Sequence, residues 1–303
     1  MEEKTFEDDI NRSVYDIKNE ENDSYRIKQG LTPEIVEKIS EEKHDPAWMR
    51  EFRLKSLEIY NNMQVPDWGP SIDGLNMDNI ATYVRANTNM KGDWKDVPEE
   101  IKDTFDRLGI PKAERESLAG VGAQYDSELV YHNVRKEVAD QGVVYTDMES
   151  ALTGEYADMV HEHFMKLITP QDHKFAALHG AVWSGGSFVY VPKGVNLEIP
   201  LQSYFRLNAA GAGQFEHTLI IVMRVQVFTL LKDVQHLNIM LPIFMQVRLS
   251  FLWLRMQSFV TQQLRTGARI CIILTLREQL LLKVVRLNGF QAHLVRMYHI
   301  CIL

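Results

Sequence analysis

The sequence predicts an α+β fold: a helical N-terminal region, a strand-rich region after it, and an aberrant C-terminal tail. Three observations lead there. Apolar residues recur at helical spacing through much of the first 170 positions. Short apolar runs broken by Gly, Pro and Asn take over from Lys174. At Met223 the charge balance and the turn chemistry change together.

Residues 1–30 are polar, rich in Asp, Glu, Asn and Lys, and read as disordered. They hold no apolar stretch of the kind an export signal needs, so the expected compartment is the cytoplasm. Residues 31–172 read as mainly helical. Thr32-Pro33-Glu34 opens a helix: Thr can cap, Pro suits the first helical position, and Glu meets the positive end of the dipole. Ile35, Val36 and Ile39 supply its apolar face. A second helix runs through Trp48, Phe52, Leu54, Leu57 and Ile59. Val65 to Pro70 is extended or turn-like, because two prolines and a glycine deny helix. Val97-Pro98-Glu99-Glu100 opens another helix, which Gly109 closes ahead of Pro111. Residues 145–168 read as helical again.

Residues 173–222 read as strands: Ala181 to Trp183, Ser187 to Val195, Ile199 to Arg206, and Phe215 to Val222. Short punctuated strands fit a sandwich, a barrel or a β-helix, and periodicity alone does not choose. Residues 223–303 differ in kind. They carry two acidic and ten basic residues, against 39 acidic and 23 basic in 1–222, with two glycines and one proline. The whole chain has a formal net charge of −8, which argues against a general nucleic-acid binder. Segments 239–256 and 270–287 are apolar, but Arg248, Arg255, Arg277 and Arg286 argue against membrane spans.

Few residues invite a chemical role. His161-Glu162-His163 lies on a predicted helix, yet ligands two apart point to different faces, so a solvated face is the better reading. His173, His179 and His217 read as hydrogen-bonded structural histidines. Glu216 beside His217, and Asp126 near Glu128, lack a nucleophile or a carboxylate-pair context. Trp183-Ser184-Gly185-Gly186-Ser187 lacks the Lys-Ser/Thr of a phosphate loop and reads as a tight turn. Cluster or zinc chemistry wants thiolates, but the two cysteines, Cys271 and Cys301, both lie in the tail. No catalytic, cofactor-binding or metal-ligating residue is assigned, and no enzyme activity is expected.

Several strings are specific as an ordered set. They are Asp45-Pro46-Ala47-Trp48-Met49, Pro66-Asp67-Trp68-Gly69-Pro70, Ile110-Pro111, and Gly120-Val121-Gly122-Ala123-Gln124-Tyr125-Asp126-Ser127-Glu128. Gly142-Val143-Val144-Tyr145, then His179 to Phe188, Val191 to Val195 and Phe215-Glu216-His217-Thr218 follow. Over residues 30–222 the chain resembles the SufB/SufD family of SUF iron–sulfur cluster assembly scaffolds, nearer its SufB branch. The resemblance implies that residues 173–222 are the first turns of a right-handed parallel β-helix. It also implies a role as a cluster-building scaffold, partnership with SufD and the SufC ATPase, and a cysteine desulfurase as sulfur source. An iron–sulfur cluster is expected for the intact family member and not for this chain. A disrupted, inactive gene product and an exported β-helix carbohydrate enzyme are the competing readings. Absence of an export signal and the thinning of acidic residues over 175–222 weigh against the second.

The family pattern calls for an acidic, Gly-rich segment after Val222, where this chain turns basic and Leu-rich. One lost nucleotide at the 222/223 junction accounts for the change. With it restored, residues 223 onward permit DEGSGVHTIEGCSAPKYNVANLHAG, then LVAKDAKFRYTTIENW, KNMYNLNTKRA and FGSHVSYLYP, which resemble the family. Methionine has a single codon, so it tests the idea without free choice. Met245 before Gln246 forces the alanine of LHAG, Met256 before Gln257 that of KDA, and Met297 before Tyr298 the valine of HVS; Met240 before Leu241 allows the valine of YNVAN. The cysteine of IEGC is split across Asp233 and Val234. Such a tail is expected to lack the in/out alternation of real strands and to leave the chain unstable or aggregating.

Overall fold

The computed structural model describes residues 23–66, 76–107, 118–195, 197 and 199–223, and backbone strands within 225–302. The N-terminus begins as a strand: β1 (Asp23–Arg26) pairs antiparallel with β2 (Val84–Ala86). Residues 23–26 thus correct the expectation that everything up to residue 30 is disordered. Helix α1 (Pro33–Glu42) starts as its sequence dictates, with the Thr32 side chain accepting from the Ile35 amide. It buries Ile35, Val36 and Ile39. His44, at φ 53°, turns the chain into α2 (Ala47–Asn62). Two short 3-10 turns, Met77–Asn79 and Trp94–Asp96, precede α3 (Glu99–Arg107). The expected cap at Gly109 and the run Asp67 to Pro70 lie outside the described residues.

The middle of the chain is less helical than expected. Strands β3 (Gly120–Tyr125) and β4 (Glu128–Val134) form a hairpin, and α4 (Lys136–Ala139) leads to β5 (Val144–Asp147). The helical reading of 145–168 therefore fails at its start: Val143 to Thr146 is a run of β-branched and aromatic residues that suits a pleated surface. Asp147 ends the strand by capping α5 (Met148–Thr153), accepting from the Ser150 amide at 2.7 Å, and α6 (Ala157–His163) follows. The strand expected at Ala181 to Trp183 is instead the end of α7 (Lys174–Val182). That helix is buried on all sides, so it has no polar stripe for periodicity to detect. Gly180 lets it approach α2, because a Cβ there would sit 2.6 Å from the Ser56 hydroxyl.

From β6 (Ser187–Val191) onward the chain alternates between two sheets. β6, β8 (Gly213–Val222), β10 (Phe244–Trp253) and β12 (Ile272–Leu276) are parallel neighbours in one. β3, β7 (Leu201–Leu207), β9 (Val225–His236) and β11 (Met256–Thr266) are parallel neighbours in the other. Antiparallel β5 borders the first sheet and β4 the second at the N-terminal side; β13 (Tyr298–Ile302) closes the six-stranded sheet on the far side. Side chains of both sheets meet in one core: Val189, Val191, Ile220 and Val222 with Leu201 and Tyr145. The Tyr145 hydroxyl crosses between the sheets, 2.9 Å from the Gln202 carbonyl and 2.6 Å from Ser203 Oγ.

The expected lack of in/out alternation in the tail lies outside what is described there, which is the backbone of its strands. Its backbone continues both sheets, with β9 on β7 and β10 on β8. A ladder needs only main-chain donors and acceptors, which every residue but proline supplies, and Val, Ile, Phe and Leu favour strand conformation. Among the described residues, no helix is long and apolar enough to cross a membrane.

Candidate functional site

The expected tight turn at Ser184 to Ser187 is tied to three elements of the fold. Gly185 and Gly186 hold φ values of 69° and 101°, and a Cβ on Gly186 would lie 1.9 Å from the His217 carbonyl oxygen. The Gly186 amide donates to Gln124 Oε1 at 2.8 Å, and the Gly185 amide to Glu149 Oε1 at 2.6 Å. The turn thereby joins β3, α5 and β8. No anion cradle results, because its amides are already spent on side chains of the fold.

Beside it, His179 of α7 and His217 of β8 meet through Nε2 and Nδ1 at 3.0 Å, both fully buried. Phe164 and Trp183 pack on the His217 ring. His173 caps α7, its Nδ1 accepting from the Ala176 amide at 3.2 Å, which assigns the proton to Nε2 when the ring is neutral. All three behave as the structural histidines their sequence setting suggests. Glu216 is buried and accepts from the Thr218 hydroxyl at 2.9 Å. His161 is exposed on α6 and stacks against Trp48 with centroids 4.4 Å apart; His163 lies 3.9 Å from Glu162. The solvated-face reading of this triplet fits.

Asp126 and Glu128, suggestive as a pair, take separate roles. Asp126 sits at φ 55° in the β3–β4 turn, and its carboxylate accepts the amides of Asn208 and Ala209 at 2.7 and 2.9 Å. Its own carbonyl accepts from Gln124 and Gln214. Burial pushes its carboxyl up to about 7, against those two amides; Asp23 adds to the rise and Arg26 opposes it. Glu128 reaches Lys43, which no sequence pattern singles out. Lys43 Nζ lies 2.9 Å from Glu128 and 2.8 Å from Glu149, and Tyr83 donates to Glu128. Burial alone would lower the Lys43 ammonium, but Glu149 and Glu128 outweigh it and hold the pKa above its ordinary value. Burial likewise works to raise Glu149, and Lys43 brings it below the usual carboxylate range. These partners are 85 and 106 positions apart, so no local pattern could announce them. A second buried pair, Arg53 with Asp45 at 2.6 Å, also reaches the Trp183 carbonyl at 2.8 Å.

These contacts tie helices to sheets and sheets to each other. Among the described residues no group of three His, Cys, Asp or Glu side chains could hold a metal ion. Cys271 lies outside the described residues, and of Cys301 only the strand position is described. Thiolate ligation of a cluster therefore has no basis in residues 1–222, which contain no cysteine.

The fold defines a mixed α/β protein whose described part has two main sheets tied together by buried polar contacts. The chain belongs to the SufBD family: the family model described as SufBD protein N-terminal region matches residues 37–203. It is 54% identical over 214 residues to the iron–sulfur cluster assembly protein SufB of Bacillus subtilis, covering 71% of this chain and 46% of that protein. SufBD family proteins of iron–sulfur cluster assembly in Staphylococcus haemolyticus and Staphylococcus aureus are 49% and 48% identical, each over 70% of this chain and 46% of their own length. The chain thus spans less than half the length of the curated relatives it matches.

Proposed function

We propose that the chain derives from a scaffold of iron–sulfur cluster assembly and, read as it stands, is an impaired form whose sequence after Val222 is out of frame. The carrying observation is the change in charge and turn chemistry at Met223, together with the reading that the single methionine codon forces when one nucleotide is restored. Identity to the Bacillus relative covers 71% of the chain, and the forced methionine readings recover family-like sequence beyond Val222. The topology supports the shift independently. Restored, the sequence brings APKYNVAN, with its Pro and two Asn, to the connection between β9 and β10, and the alternating KFRYTTI to β11. The rung-by-rung alternation of parallel strands supports the β-helix reading, with β6 to β8 as first turns.

The cluster is cargo, and the described residues do not fit it. In the restored frame a thiolate returns at the position of Val234 and an imidazole at that of Met245. By register these positions pair with Phe205 and Gln214. The protein acts as a binding platform rather than an enzyme, and SufC, SufD and a cysteine desulfurase are its partners. A carbohydrate-enzyme reading finds no support in β6 to β8, whose single acidic residue, Glu216, is buried.

Anaerobic reconstitution with iron and sulfide tests the reading. The chain as written should develop no cluster absorbance, and the chain with one nucleotide restored should develop it. Equal loading of both chains, or an intact frame in the DNA across codons 222 and 223, overturns the proposal.

A further inference from the structure

We propose that Asp126 is a proton-operated latch: its protonated carboxyl holds the connection between β7 and β8, residues 208–212, and the end of β1 that is tied to it, and loss of that proton loosens both. The geometry of one oxygen carries this. Asn208 and Ala209 both donate to Asp126 Oδ1, at 2.7 and 2.9 Å, so a proton can sit on Oδ2 without costing either bond. The Asp126 main chain closes the same joint. Its amide donates to the Arg206 carbonyl at 2.7 Å, and its carbonyl accepts from Gln214 Nε2 at 2.6 Å. β1 is tied to the same connection, with Arg26 Nη1 donating to the Ala210 carbonyl at 2.8 Å.

Asp126 is 2% exposed, and a buried carboxylate is costly unless a cation pairs with it. The charges that act on it come from β1. Arg26 favours the anion but is paired with Asp23 at 2.9 Å, and Asp23 opposes the anion. Glu128, two residues on, is turned to Lys43. From β7 and β8 the contacts are the Arg206 carbonyl and the uncharged Gln214 amide. Burial therefore leads and lifts the carboxyl to about 7, inside the range where histidines ordinarily switch. Opening the joint to water returns the group to its ordinary 3.8, so between 3.8 and about 7 the open form gives up its proton first. Opening grows by up to about tenfold per pH unit across that window. It levels off above about 7, once both forms are ionised. Only residues before Val222 take part, so the latch does not depend on the frame of the tail.

Hydrogen exchange on the monomeric fraction of the full chain, followed by mass spectrometry from about pH 5 to pH 8 and corrected for intrinsic rates, tests the latch. Protection of the Asn208, Ala209 and Gly213 amides should fall at least about tenfold from pH 5 to pH 7 and then level off. Asp126→Asn, which keeps an acceptor oxygen and does not titrate, should remove the trend. Asp23→Asn removes the opposing charge without touching Asp126, so it should move the levelling point to lower pH. The Asp23 side chain is partly exposed, so this variant reads the charge balance even if Asp126→Asn folds poorly. Protection indifferent to pH, a trend that survives in Asp126→Asn, or a levelling point that Asp23→Asn leaves in place overturns the proposal.

Discussion

At the scale of single residues, buried polar groups tell the folding story and give two measurable signatures. Asp126 binds its proton more tightly in the folded chain, about 7 against an ordinary 3.8. A raised carboxyl pKa contributes stability that is fully present below the unfolded value and lost as pH rises through the folded one. Asp126→Asn keeps an acceptor oxygen, tolerates the positive φ and does not titrate. Its melting temperature should therefore gain on the parent's between pH 5 and pH 8, by on the order of 2 kcal/mol in stability. A constant difference across that range would count against it. Lys43→Met acts in the opposite sense, leaving Glu149 and Glu128 without their cation. Removing one partner of a buried pair costs about 3–5 kcal/mol. Glu149 is held below its ordinary 4.5, so its contribution exists above that pH and fades as pH falls through the folded pKa. The gap between parent and Lys43→Met in denaturant melts should thus be widest near neutrality and shrink below about pH 4.5.

At the scale of elements, local sequence chemistry explains starts and stops better than interiors. Thr32 and Pro33 announce α1, Glu99 and Glu100 announce α3, and the glycines at 185 and 186 announce the turn before β6. What failed were the two ends of 145–182, while its interior is helical as expected. Val144 to Asp147 became a strand because β6 lies beside it, and Ala181-Val182 became helix because α7 is buried all round. Both choices belong to neighbours far along the chain, which no window of ten residues contains. The turn itself can be tested. Gly186→Ala collides with the His217 carbonyl and demands a positive φ, so it should cost more than about 3 kcal/mol and deplete soluble protein. Gly92→Ala, with nothing within 4 Å of its Cβ, should melt with the parent. Equal melting of the two variants would refute this account.

At the scale of the whole molecule, the decisive quantity is the fit of residues 223–303 to the two sheets they extend. Parallel strands are slow to pair and leave template edges open, and a continuation unsuited to the core makes that worse. The chain as written should elute partly as large aggregates and unfold without a sharp transition. Restoring one nucleotide should give a cooperative melt at least about 10 °C higher, an increment that a few kcal/mol supplies in a domain of this size. Identical elution and melting of the two chains would contradict the account of the tail.

The sequence by itself determined the family, the helix starts, the glycine turn and the break at Val222, because each is written in adjacent residues. It also showed that residues 1–222 lack the thiolates that cluster chemistry needs. Only the tertiary structure decided that β3 to β5 are strands, that Lys43 joins Glu128 to Glu149, and that His179 meets His217. Those outcomes depend on burial and on partners scores of residues apart, and burial is a property of the folded chain that no single stretch of sequence carries. The tail divides along the same line. Its sequence changes character at Met223, while its backbone, which carries the same donors and acceptors whatever the side chains, still finds the edges of β7 and β8.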